Sequence, residues 1–368
     1  MDVFGLPLQL IIMSIATSAI LCAIIIICFS QTALESAKRD DHFAVQSAHT
    51  TPTPRIGGFG ILTAISVTYL YNFSIDIWSS SSLFLLSALP VFIVGLAEDL
   101  GFFASPRNRL LAATTSGVLF VILTHQWLNK TDIPGLDLAM QWAPFAIAFS
   151  VLLAVGVSHA FNLIDGLNGL SGITAAGASL ALAIIAHQAG ITEHRDFLLV
   201  ICAGVVGFLI FNFPFGKIFL GDAGAYAIGH LLVWTSISIL WNVPSITPFA
   251  ILLIFFWPIA DTFLAISRRL YSRKPIAEPD KLHFHQLVMR GVEIVFLGRK
   301  KRRLSNPLAT LFTIPFVLAP MGAGILLVSN KGKAATGCFI FTVIFITTYK
   351  IGMRLALKLR RSGTREAY

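Results

Sequence analysis

Long apolar runs constrain this chain more than any other feature. A bilayer-spanning helix needs roughly 17–25 apolar residues, and about eleven segments meet or approach that length. They fall near 6–29, 56–72, 82–97, 109–126, 143–160, 170–188, 197–212, 223–241, 249–266, 306–329 and 336–354. Of 368 residues 56% are hydrophobic and 12% charged, with a mean hydropathy of +0.79, so a water-soluble fold is excluded. Lipid offers no partner to an open strand edge, and the runs are too long for barrel strands. The expectation is an all-α, polytopic integral membrane protein, one membrane-embedded domain over residues 1–368.

Charge sets the orientation. Only Asp2 precedes the first run and Lys38-Arg39 follow it, the reverse of a secretory signal, so this run is read as a true span with its N-terminus outside. Alternating from there, 23 of the 27 Lys and Arg residues fall on the cytosolic side, leaving Lys130, Arg195, Lys331 and Lys333 outside. That is the positive-inside pattern, with the C-terminus cytosolic. Much of the basic excess lies in a long hydrophilic loop, 266–305, and a tail, 355–368. The run Arg299–Arg303 reads as a retention and lipid-headgroup patch, so the net charge of +9 calls for no nucleic acid. Cys22, Cys28, Cys202 and Cys338 all fall inside spans without a CxxC pair and are read as packing residues.

Against this background, polar clusters stand out. Carboxylates and carboxamides at the end of a spanning helix are costly and are functional candidates by default. Glu98-Asp99, Asn162/Asp165/Asn168, Asp222, Asp261 and His283/His285 all map to the cytosolic side, beside Arg107, Arg109 and Lys281. Acidic groups next to cations suit a hard divalent metal sharing its site with phosphate, since Mg²⁺ takes one or two protein oxygens and keeps waters. Arg and Lys then clamp phosphate. One soluble nucleotide-type substrate and one lipid phosphate are implied. Simpler readings compete at several positions. Asp165 and Asp222 could be helix N-caps, Asp261 could pair with Arg268 or Arg269, and one of the two histidines could be a packed core residue.

Five ordered motifs between about residues 46 and 290 carry a resemblance. They are Ser47-Ala-His49 with Pro52-Thr-Pro-Arg-Ile-Gly-Gly58, Gly95-Leu-Ala-Glu-Asp99, Asn162-Leu-Ile-Asp-Gly-Leu-Asn-Gly-Leu170, Gly221-Asp-Ala-Gly224 and Asp280-Lys-Leu-His-Phe-His285. With them the chain resembles the polyprenyl-phosphate N-acetylhexosamine-1-phosphate transferases of glycosyltransferase family 4. The resemblance implies a magnesium-dependent (or manganese-dependent) enzyme of the bacterial inner membrane. Its partners would be a UDP-N-acetyl amino sugar, undecaprenyl phosphate and the bilayer, with a homodimer by analogy. The enzyme would release UMP and begin a surface polysaccharide such as an O-antigen. It further implies that Asp222 and Asn162 hold the metal and that Glu98 and Asp99 activate or position the lipid phosphate. Asp165 and Asn168 would serve the nucleotide, Arg109 and Arg107 the phosphates, and Lys281, His283 and His285 the sugar diphosphate.

Three positions depart from the family pattern: Glu98 and Asn168, where many members carry Asp, and Gln286, where many carry a third His. Together they favour the amino-sugar transferases over the muramyl-pentapeptide branch. The rival reading from another class is a cation- or proton-coupled transporter. Its carboxylates would be expected near the bilayer midplane, between repeats that this sequence does not display.

Overall fold

The computed structural model describes residues 2–36, 53–72, 79–102, 105–273, 282–297 and 301–363. All eleven apolar runs are helical. Eight form helices long and apolar enough to cross a membrane. These are α1 (Leu8–Ser36), α3 (Ser80–Asp99), α6 (Ala143–Leu163), α7 (Leu170–Gln188), α8 (Thr192–Asn212), α9 (Gly221–Asn242), α13 (Arg302–Leu326) and α14 (Lys331–Gly363). A ninth span is broken: α10 (Pro248–Ile254) and α11 (Phe256–Tyr271) meet at 80°. The remaining two runs give α2 (Gly57–Asn72) and α4 (Pro106–Thr124), less apolar or shorter, and a short α5 (Pro134–Met140) leads into α6. Among the described residues the only extended structure is a two-residue pair, Asp2–Val3 with Leu6–Pro7. The chain is therefore an all-α, multi-pass membrane protein.

The core centres on α9, enclosed by α2, α3, α4, α6 and α7 and buried from Ala223 to Leu240. Two glycines let it sit so deep. A Cβ on Gly58 at the start of α2 would come within 2.1 Å of the Gly224 Cα, so these helices cross backbone to backbone. Gly221, at φ +77°, has the Arg55 carbonyl where its Cβ would project, at 1.7 Å. The N–H groups of Gly57 and Gly58 donate to the Phe219 and Leu220 carbonyls, tying the α2 entry to the α9 entry.

Two segments differ from the sequence reading. The stretch 266–305 is not one loop: α11 continues to Tyr271, and a short helix, α12 (Phe284–Val292), precedes a π-helical turn at Glu293–Leu297. Phe284 anchors α12 by packing edge-on to Trp257 at 4.7 Å and against Phe345 at 5.2 Å. The basic tail, too, is helical as far as Gly363, within α14. At the opposite end of the bundle, where little polar chemistry was expected, Asp132 is buried. It accepts from the Thr247 hydroxyl at 2.5 Å and faces Lys130 at 3.3 Å.

Candidate functional site

The motif residues gather at one end of the bundle, where α3, α6 and α11 finish and α2, α4, α7, α9 and α12 begin. Glu98 and Asp99 close α3, Asn162 lies in the last turn of α6, and Asp222 is the second residue of α9. Arg109 reaches in from the first turn of α4. One of its guanidinium nitrogens lies 3.5 Å from Glu98 Oε1 and 3.5 Å from Asp222 Oδ2. These three side chains are each about a quarter exposed, open enough to meet a ligand.

Adjacent carboxylates have different surroundings. Asp99 turns both oxygens onto the entry of α9, accepting from the N–H groups of Asp222 and Ala223 at 2.9 Å each. It caps the positive end of a buried helix from a different element. The capping expected of Asp165 or Asp222 thus belongs to Asp99. Glu98 makes no such contact, and its Oε2 is buried without a hydrogen-bond partner among the described residues.

Asn162 donates from Nδ2 to Asp222 Oδ1 at 2.8 Å, and its Oδ1 accepts from the Tyr226 hydroxyl at 3.3 Å. Asp165, in the turn between α6 and α7, accepts a short hydrogen bond from the Ser171 hydroxyl and faces the N–H of Gly221. Burial pushes its carboxyl up to about 6, opposed by the Ser171 bond and by Arg55. Arg55, exposed just before α2, is close enough to act on Glu98, Asp99 and Asp165 alike.

The histidine pair approaches from below. Asp261 on α11 accepts from the Phe284 N–H at 2.9 Å and lies 2.9 Å from His283 Nδ1, so its partners include α12 itself, where Arg268 or Arg269 had been expected. His285 stacks on His283 at 5.6 Å and is fully buried; its Nδ1 stands 3.7 Å from Asp261, and neither ring nitrogen is hydrogen-bonded among the described residues. Its Nε2 lies 2.8 Å from where a Cβ on Gly166 would stand, directly under the Asp165 turn. Burial holds its pKa below the usual range, opposed by Asp261, so the ring is neutral near pH 7.

Two predicted residues lie apart. Asn168 is buried and faces away, donating to the Pro214 carbonyl at 2.9 Å. Its own N–H donates to Asn306 Oδ1 at 2.8 Å. A carboxamide is needed there, because an aspartate could not donate to Pro214. Arg107 is exposed on the opposite face of the turn that carries Arg109. Lys281 and the Ser47–His49 motif lie outside the described residues. Sequence reasoning gave no role to Arg55, although it stands in a quoted motif. It also passed over Tyr226, one turn past Asp222, and gave His159, close to Asn162, no ligand role for want of convincing spacing.

The profile of glycosyl transferase family 4 matches residues 81–240, which include Glu98, Asp99, Arg109, Asn162, Asp165 and Asp222. A probable undecaprenyl-phosphate N-acetylglucosaminyl 1-phosphate transferase of Bacillus subtilis (strain 168) is 30% identical over 248 residues, 66% of this chain and 68% of that one. The chain belongs to glycosyl transferase family 4. Other relatives span both branches of this family. A decaprenyl-phosphate N-acetylglucosaminephosphotransferase of Mycobacterium leprae (strain TN) is 26% identical over 300 residues, 70% of each chain. A phospho-N-acetylmuramoyl-pentapeptide-transferase of Halalkalibacterium halodurans is 34% identical over 188 residues, 48% of this chain and 58% of that one.

Proposed function

We propose that this protein transfers an N-acetyl amino sugar 1-phosphate from a UDP-sugar to undecaprenyl phosphate. The products are UMP and undecaprenyl-diphosphate-sugar. The reaction runs at the cytosolic face of a bacterial inner membrane and begins a surface polysaccharide such as an O-antigen. The observation that carries this reading is the half-open cluster at the mouth of α9, where one guanidinium bridges Glu98 and Asp222. Relatives named for polyprenyl-phosphate acceptors, over two thirds of their length, support the acceptor class.

Phosphoryl transfer asks mainly for positioning and charge neutralisation. An oxygen of the lipid phosphate attacks the sugar-bearing phosphorus of the donor. The bond between that phosphorus and the bridging oxygen breaks, and UMP leaves with the electron pair. The nucleophile is already anionic, so no strong base is needed. Arg109 and Arg55 balance phosphate charge. The described residues hold no cluster of three metal-ligand side chains, but Mg²⁺ needs only one or two protein oxygens alongside phosphates and water, and the Glu98 Oε2 without a hydrogen-bond partner near Asp222 fits that demand. Asp222 and Glu98 would hold it, and when bound it would neutralise the donor diphosphate. Asn162 steers Asp222 from behind. Asp165 lies across the α9 entry on the nucleotide side, and the buried histidine pair supports its turn.

A transporter would place such carboxylates near mid-bilayer. Here they lie where helices end, which favours the enzyme. The deciding experiment incubates purified protein with undecaprenyl phosphate and a panel of UDP-GlcNAc, UDP-GalNAc and 6-deoxy amino-sugar donors. UMP formation dependent on both substrates and on Mg²⁺ is expected; its absence with every donor defeats the proposal.

A further inference from the structure

Tyr226 has no counterpart among the roles above, yet its hydroxyl joins two of the groups that flank Asp222. It lies one helical turn deeper on α9, is 2% exposed, and has the His159 ring edge-on at 4.9 Å. Its hydroxyl donates to Asn162 Oδ1 at 3.3 Å, while Asn162 Nδ2 donates to Asp222 Oδ1 at 2.8 Å. The Arg109 guanidinium reaches Asp222 Oδ2 at 3.5 Å and faces the tyrosine hydroxyl through its charge, with no well-formed hydrogen bond between them. The four side chains form a closed polar ring.

Hydrogen-bond inventory gives the ring one direction. Arginine has donors only, so the Tyr226 proton has no acceptor on the Arg109 side. That proton goes to Asn162 Oδ1. An ionised aspartate has acceptors only, so the carboxamide facing it must present its NH₂. Turned over, Asn162 would set its oxygen against the Asp222 carboxylate and leave the Tyr226 proton without its acceptor. We infer that Tyr226 is a positioning residue that locks the Asn162 amide as a donor to Asp222. By this inference Asn162 orients the carboxylate and is not itself a metal ligand. The ring leaves Asp222 one oxygen held by Asn162 and the other shared with Arg109. The inference rests on Asp222 being the metal- and phosphate-facing carboxylate of the proposed reaction.

The test is a double-mutant cycle of Tyr226→Phe and Asn162→Ala in the full-length, detergent-purified protein. Phenylalanine keeps the ring packed on His159 and removes only the hydroxyl. Three quantities are read: melting without ligand, Mn²⁺ affinity by electron paramagnetic resonance, and kcat and KM for UMP release. Tyr226→Phe should weaken Mn²⁺ binding about 10-fold, as loss of a group that orients a ligand typically does. It should lower kcat with KM for undecaprenyl phosphate unchanged, and add nothing further in the Asn162→Ala background. Unchanged Mn²⁺ affinity and kcat in Tyr226→Phe, tighter Mn²⁺ binding, or additive effects of the two substitutions would each overturn the inference. If wild type neither binds Mn²⁺ nor forms UMP, the proposed reaction fails on its own account. The melting cycle then decides alone: non-additive losses keep the ring, additive losses remove it.

Discussion

Glu98 and Asp99 are neighbours in sequence with separable physical duties. Asp99 holds the α9 entry through two backbone N–H groups, so Asp99→Asn, which keeps one acceptor and loses the charge, should cost about 1.5–3 kcal/mol of stability, read as a lower melting temperature. Glu98 caps nothing, and its substitution should act on turnover. Glu98→Asp withdraws the carboxylate by about one bond from Arg109, and a misplacement near 1 Å costs up to about 10²-fold in rate when reacting groups are held for attack. Full kcat in both Glu98→Asp and Glu98→Ala would make it a bystander. Asp222→Ala should lower kcat by about 10²–10³ while the protein still folds, since it removes charge neutralisation at the diphosphate. Asp165 supplies a pH test. Its carboxyl titrates at about 6 in the fold against 3.8 ordinarily, so the folded state favours the protonated form. That stabilisation is complete below about pH 4 and lost as pH rises through about 6. Asp165→Asn, permanently neutral, should melt higher than wild type above pH 7 yet turn over more slowly. Wild-type UMP release should fall below about pH 6 as Asp165 protonates, and an acid limb that persists in Asp165→Asn assigns it to another group.

The elements show what could be read from residues in order and what could not. Helix after helix was legible because each apolar run is long and bounded by polar residues, and the motif carboxylates were legible because they interrupt those runs. The α12 helix was not. Its nine residues are amphipathic but too short a run to declare a helix inside a basic stretch, and its stability comes from Phe284 against Trp257 and Phe345, contacts that only the fold supplies. Nor could the sequence say that Asp99 caps a helix far along the chain, or that Asn168 faces a loop carbonyl. Both depend on which elements meet. Two substitutions test those meetings. Gly58→Ala inserts a methyl where α2 and α9 touch, and such overpacking costs about 1–3 kcal/mol; melting should fall and activity with it. Asn168→Asp puts an acceptor against the Pro214 carbonyl in place of a donor, for a loss of about 1–3 kcal/mol measured in the same assay.

At the scale of the molecule, the bundle has two unlike ends. One carries the carboxylate cluster; the other carries the Asp132 network, with Lys130 and Lys331 around it. The proposed orientation, read from Lys and Arg, sets the carboxylate end in the cytosol, so a cysteine placed at Gln286 should resist a membrane-impermeant thiol reagent in intact cells and react after permeabilisation. Labelling without permeabilisation reverses the orientation. The enclosure of α9 has a consequence for biogenesis. Of the eight long spans it is the least apolar, and Asp222, Tyr226, His230, Trp234, Ser238 and Asn242, all with polar atoms, recur along it at four-residue intervals. His230 and Ser238 find their partners, Ser87 and His194, on α3 and α8. A translocon releasing α9 alone into lipid would expose that stripe, each polar group at a cost. The helix that bears the site is therefore the one least able to enter the bilayer unaided, and its insertion depends on earlier helices waiting beside the exit to receive it.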